Sequence, residues 1–155
     1  MPLTTTTIRN SVRAYIRRGD KILVQHKKYD SGRARYTLPG GAVDPGETLQ
    51  QGLNRECMEE IGTGVEIVEL MYLADYFKVR DTDPTSKRQQ VEFVFRCRVP
   101  DDYKAKMGPK PDSHQVDVVW LPISDIPESG MLPERIRDIL ASDDTGAPVY
   151  LGLIE

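Results

Sequence analysis

The stretch that most constrains this chain runs from Gly40 to Thr63 and reads GGAVDPGETLQQGLNRECMEEIGT. Its first half contains Gly40, Gly41, Pro45 and Gly46, too many breakers for regular structure, so residues 42–47 read as a positioned loop. Its second half is helical. Thr48 followed by Gln51 forms a capping-box pattern and Gly62 is a natural stop, which places a helix over 49–61. At about 100° of rotation per residue, Glu56, Glu59 and Glu60 fall within one arc, while Leu53, Cys57 and Ile61 occupy the arc beside it. The helix therefore has a buried edge with carboxylates next to it, an arrangement that suits the wall of a cleft. Gly52 inside the helix costs about 1 kcal/mol relative to alanine, which close packing against the sheet would explain.

Carboxylates at helical neighbour spacing repel one another, and a cation is the natural means of offsetting that repulsion. Hard divalent ions take carboxylate oxygens, and magnesium binds through a few carboxylates together with phosphate oxygens of a substrate. Arg55 stands four residues before Glu59 and has a choice between pairing with it and reaching back to Glu47; the second role fixes the loop. For an acidic helix considered alone, a solvated surface is the ordinary explanation. The loop attached to this one makes the difference.

Around this segment the chain alternates strands and helices. Residues 8–18 and 21–26 read as a hairpin closing at Gly19 and Asp20. A polar loop covers 27–35, strands cover 65–79 and 91–99 with a loop over 80–90 between them, and another loop covers 104–113. A strand over 115–123, a short helix over 133–141 and a final strand over 149–153 complete the order, and the threonine run at 4–7 reads as a frayed terminus. In the 91–99 strand, Val91, Phe93, Phe95, Cys97 and Val99 share the core face, which leaves Gln90, Glu92, Val94, Arg96 and Arg98 on a wetter one. This mixed order argues for an α/β fold with a mixed sheet covered by helices, and 155 residues suit a single domain over 1–155.

Composition narrows the partners. A formal charge of -3 gives no bulk basic field for a long polyanion, so polymeric nucleic acid is not expected. No run approaches the roughly 20 apolar residues needed to cross a bilayer, and no secretory leader is evident, so no membrane association and a cytoplasmic location are expected. The two cysteines, Cys57 and Cys97, are isolated and read as reduced core thiols.

The fixed positions of 41–63, namely Gly41, five residues, Glu47, seven residues, Arg55-Glu56, then Glu59-Glu60 and Gly62, resemble the Nudix box of the Nudix hydrolases. The likeness departs at the two aliphatic positions, where Cys57 and Thr63 stand. Outside the box the hairpin, Leu38-Pro39-Gly40-Gly41 and Trp120-Leu121-Pro122 fit the same family more loosely. The resemblance implies a Nudix fold, an α/β/α sandwich around a mixed sheet with the box as a loop-helix-loop unit. It also implies a pyrophosphatase that uses Mg2+, or Mn2+, to cleave a nucleoside diphosphate linked to another moiety by attack of water on phosphorus. By that resemblance Glu56, Glu59 and Glu60 hold the metal, with Glu59 alternatively the water-activating base, and Gly40 and Gly41 present backbone near the metal. Arg55 and Glu47 form the supporting pair. Glu92 is a candidate base outside the box, and Arg35, Tyr36 and Gly40 are candidates for contact with substrate. Arg33, Lys78, Arg80, Arg96 and Arg98 are further candidate cations for phosphates, one or two of which are expected to serve while the rest are solvated charges; Tyr76 is a candidate stacking group or a packing residue, and His26 and His114 read as plain residues. The first proline after the box is Pro84, so the proline by which ADP-ribose pyrophosphatases of this family are often recognised is missing, and nucleoside triphosphates or sugar nucleotides are the expected small-molecule substrates. A homodimer is plausible by family analogy, and a non-catalytic nucleotide sensor is the alternative reading.

Overall fold

A computed structural model describes residues 7–80, 83–142 and 146–154. The strands are β1 (Arg9–Arg18), β2 (Lys21–Lys28), β3 (Ala34–Thr37), β4 (Gly40–Ala42), β5 (Glu66–Val79), β6 (Lys87–Arg98), β7 (Gln115–Pro122) and β8 (Tyr150–Ile154); the helices are α1 (Leu49–Ile61) and α2 (Glu134–Ser142). A short 3-10 helix, Ile123–Glu128, follows β7. The strand order is β3-β2-β1-β6-β5-β8, with β4 pairing β1 and β7 pairing β2. Parallel pairs, β1 with β6 and β5 with β8, sit among antiparallel ones, so the sheet is mixed.

Alternation along β1 sends its side chains to two cores. Val12, Ala14 and Ile16 pack with Leu53, Cys57 and Ile61 of α1. Tyr15 points the other way, into a cluster with Ile136, Ile139 and Leu140 of α2. Helices on both faces of one sheet make the α/β/α sandwich. Cys57 and Cys97 are buried, free thiols of the α1-side core, and burial pushes Cys57 well above the ordinary thiol range and Cys97 to about 12. Neither is a nucleophile.

The hairpin, α1 and the long strands lie close to where the sequence places them. Three expectations are corrected. β3 and β4 fall in what reads as loop, because their ladders are completed by distant strands: β4 by β1 and β3 by β2. The 80–90 loop is shorter, since β6 begins at Lys87 and its polar first residues, Lys87 to Gln89, pair with β5 from Val79 to Phe77. The supposedly wet face of β6 is dry over its first half, with Gln90 3%, Glu92 4% and Val94 1% exposed, because residues of the α2-side core cover it. Only Arg96 and Arg98 remain exposed on that side. Of the threonine run, Thr4 to Thr6 lie outside the described residues.

Candidate active site

The box is assembled by short polar contacts that begin with its caps. Thr48 Oγ1 accepts from Gln51 N at 3.1 Å and Gln51 Oε1 accepts from Thr48 N at 2.9 Å, and Gly62 closes the helix in the left-handed region at φ 73°. Arg55 then fastens helix to loop. Its Nε donates to Glu47 Oε2 at 2.8 Å, and its Nη2 donates to Glu47 Oε1 at 3.0 Å and to Ala42 O at 2.9 Å. The bidentate bond keeps Glu47 below the usual carboxylate range and holds Arg55 fully charged. Arg55 does not choose between its two expected roles: Nη1 also donates to Glu56 Oε1 at 3.1 Å and lies 3.5 Å from Glu59 Oε2.

The glycines serve contact as well as turning. A Cβ on Gly40, at φ 141°, would sit 1.9 Å from Val12 O, and one on Gly41 would sit 2.7 Å from Glu56 Cδ. Gly41 therefore leaves the space in which the Glu56 carboxylate lies against β4. Gly52 admits Val43, whose Cγ2 would be 3.0 Å from an added Cβ, so its close contact is with the loop after β4 and not with the sheet proper.

The three helix glutamates do not share one environment. Glu59 and Glu56 side chains are 30% and 16% exposed, whereas Glu60 is 2% exposed and turned inward. Glu60 Oε1 accepts from Gly40 N at 2.9 Å and from Gln25 Nε2 at 2.7 Å. Burial raises Glu60 to about 8, against the pull of the Gly40 N–H and the Arg13 charge. Burial also raises Glu56. Glu60 turns inward and Arg55 bridges the other two, and no group of three or more His, Cys, Asp or Glu among the described residues is arranged to hold a metal ion as it stands. The donor set nevertheless suits a hard cation. Arg55 engages one oxygen each of Glu56 and Glu59, and the gap left by Gly41 seats the Glu56 carboxylate beside the Gly40 backbone that binds Glu60.

Beside the box lies a cavity of about 60 Å³ whose lining includes Arg13, Lys27, Arg35, Tyr76, Lys78 and Glu92. Arg13 joins it to the box: Nη1 donates to Gly40 O at 3.1 Å and to Leu38 O at 3.2 Å, and Nε donates to Glu92 Oε1 at 3.3 Å. Gln90 Nε2 donates to Glu92 Oε2 at 2.8 Å. Glu92 is thus a buried, doubly engaged carboxylate, which corrects its expected place on a wet face and leaves it poorly placed to accept a proton from water. Arg35 lies in the cavity wall, with its guanidinium 5.4 Å from the Tyr29 ring. Tyr36 is elsewhere: it stacks on His26 at 4.6 Å and 18°, on the opposite side of β3 from Arg35. His114 packs against Tyr29 at 4.8 Å.

Sequence reasoning missed Arg13, Gln25 and Gln115. Gln115 Nε2 donates to Glu60 O at 2.8 Å, and Gly108 N and Lys110 N donate to Glu60 O and Glu59 O at 3.0 and 2.9 Å, so a distant loop closes the end of α1. A glutamine directly after three apolar residues, as Gln25 is after Ile22, Leu23 and Val24, is the one local signal that could have been read.

A two-layered helix cover, a mixed sheet and a loop-helix box clamped by arginine define a Nudix-type domain. The NUDIX domain model matches residues 7–142, and the chain belongs to that family. Among relatives, it is 31% identical over 119 residues to human 8-oxo-dGDP phosphatase NUDT18 (Homo sapiens), covering 77% of this chain and 32% of that protein. It is 30% identical over 139 residues to a MutT-like protein of Streptomyces ambofaciens, covering 90% of this chain and 80% of that one. The chain thus spans about a third of the length of the human relative. Among solved structures, a NUDIX hydrolase from Nitrosomonas europaea superposes with a TM-score of 0.71 at 24% identity, covering 97% of this chain and 80% of the other, a likeness of fold.

Proposed function

We propose that this chain is a magnesium-dependent diphosphohydrolase that cleaves a nucleoside diphosphate linked to another moiety, with water attacking phosphorus. The observation that carries the reading is the seating of Glu56 against Gly41, with Glu59 beside it and Arg55 tying both to the Glu47 loop. Glu56 and Glu60 would hold the metal, with Glu59 a third ligand or the water-activating base and manganese as the substitute ion. When bound, such an ion neutralises diphosphate charge and lowers the pKa of its water.

The remaining work falls to the chain's own groups. Glu59, the most exposed of the three and held by Arg55 at one oxygen, is the group best placed to accept a proton from an attacking water. Arg55 and Glu47 keep loop and helix in register. Arg13 positions Gly40, whose N–H in turn fixes Glu60. Arg35 and Lys78, both at the cavity wall, are expected cations for the substrate's phosphates, and Glu92 acts by holding Arg13. A relative is described as a phosphatase of 8-oxo-dGDP, which supports a small nucleotide as substrate. No helix of the described residues is long and apolar enough to cross a membrane.

The test is a panel of nucleoside di- and triphosphates and sugar nucleotides with magnesium, scored by the phosphate product released. Glu59→Gln should lower turnover by at least about 100-fold, the order expected for a positioned acid or base, with an unchanged circular dichroism spectrum. Turnover by the variant equal to that of the wild type would remove the reading. Absence of release from every member, with nucleotide binding retained, would favour the sensor.

A further inference from the structure

The face of the sheet that floors the cavity continues beyond it as a field of cations. Arg9 pairs in register with Gln90, and Gln90 with Tyr76; one step further along, Arg88 of β6 pairs with Lys78 of β5. Paired residues share a face, and β1 repeats every second residue from Arg9 to Arg13. Arg9, Arg13, Arg88 and Lys78 therefore lie on the face that carries Glu92. Arg80 follows β5, with its N–H bonded to Ser86 O at 3.1 Å. The charges are close enough to matter: Arg9 is held below the ordinary guanidinium value by burial and then by Arg88, Arg13 and Arg80, with Glu56 acting in the opposite sense.

Among the described residues their neutralisation is incomplete. Glu92 is committed to Arg13. Asp83, the acid that feels Arg80, is engaged first by the Thr85 hydroxyl and N–H. Among the described residues, Arg9, Arg80 and Arg88 make no ion pair within 4 Å. In a chain of net charge -3, three partly or fully exposed arginines gathered at one end of a sheet, beside the box, suit an anion that arrives from outside. Strands lie about 4.8 Å apart and rise about 3.3 Å per residue, so Arg9, Arg88 and Lys78 span about 10 Å across the sheet and about 7 Å along it. That footprint fits a compact group of phosphates. A nucleic-acid strand needs a longer track with stacking platforms.

We infer that Arg9, Arg80 and Arg88 form an anion site for phosphates beyond the scissile diphosphate, and that the substrate is a small oligophosphate in preference to a nucleotide joined to a neutral sugar. The inference rests on the diphosphohydrolase reading for its catalytic meaning, while the anion site stands on the arginines. The first experiment is calorimetric titration of inorganic tripolyphosphate into the whole chain in EDTA, for wild type, Arg9→Gln/Arg88→Gln and Arg80→Gln. Wild-type binding that weakens at least tenfold in the double variant, and with rising salt, is expected; absence of wild-type binding, or equal binding by all three folded proteins, overturns the site. The second compares kcat/KM with magnesium for a nucleoside tetraphosphate and a nucleoside diphosphate sugar. The ratio should favour the tetraphosphate and fall at least tenfold in the double variant. A ratio near one in active wild type overturns the inference alone, whereas arginine-dependent binding without any turnover removes the diphosphohydrolase reading and leaves the site. Titration of a 5′-triphosphorylated ten-nucleotide RNA is the third arm: affinity more than tenfold above tripolyphosphate makes RNA the occupant and overturns the assignment to a small oligophosphate.

Discussion

Glu60 and Gly41 carry the most specific consequences at the scale of single residues. Glu60 is raised by burial to about 8 from the ordinary 4.5. The folded protein therefore keeps a proton that the unfolded chain releases, so without metal the contribution of Glu60 to stability is full below about pH 4.5 and is lost as pH rises through about 8. A cation favours the ionised form, so magnesium binding at pH 7 should expel a proton and tighten toward pH 8. Calorimetry in two buffers of different ionisation enthalpy should show this release for the wild type and its loss in Glu60→Gln; no release in the wild type would contradict it. Gly41→Ala tests the other contact. The three atoms nearest the new methyl belong to the carboxylate at the far end of the Glu56 side chain, so the fold should survive while the carboxylate shifts. A misplacement of about 1 Å costs about 100-fold in rate, and kcat/KM beside an unchanged melting temperature is the measurement.

Among the elements, α1 is nearly self-specified. Its start, its stop and its buried edge of Leu53, Cys57 and Ile61 follow from local chemistry, and the structure places them within a residue of expectation. Thr48→Ala removes the side-chain half of the capping box and should cost about 1 kcal/mol, measured as a lower urea midpoint with an unchanged slope. The strands were legible in proportion to their length. β5 and β6 have enough branched and aromatic residues to declare themselves, whereas β4 has three residues, two of them glycine, and exists because β1 offers it a ladder. Glu92 shows the limit of alternation: its position on one face of β6 was readable, but whether that face is wet depends on α2, Tyr76 and Arg13, which lie far away in sequence.

At the scale of the whole molecule, the site depends on segments with no catalytic pattern of their own. The loop before β7 closes the carboxyl end of α1 through Gly108 N, Lys110 N, Gln115 Nε2 and the Tyr103 hydroxyl, which donates to Ile61 O at 2.7 Å. These bonds satisfy carbonyls that a helix end leaves without partners. A Cβ on Gly108 would lie 2.3 Å from Glu59 O, a clash with backbone that no side-chain movement relieves. Gly108→Ala should therefore destabilise the protein by about 1–3 kcal/mol, the range for overpacking, and should lower turnover as well, because the displaced carbonyl belongs to Glu59. Thermal melts and kcat together are the check; a variant as stable and as active as the wild type would refute this account of the loop.

What the sequence determined by itself was the box: local propensity, capping and a fixed spacing of charges need no long-range partner, so Arg55, Glu56, Glu59, Glu60 and the glycines before them were readable from one segment. What only the tertiary structure decided was how those groups differ. Gln25 and Gly40 turn Glu60 inward, Gly41 seats Glu56, and Arg13 ties the box to Glu92, which stands 79 residues after that arginine. The physical reason is that burial and electrostatic environment are properties of the packed whole: a carboxylate's character is set by what excludes water from it, and those groups are brought to it by strands remote in the chain.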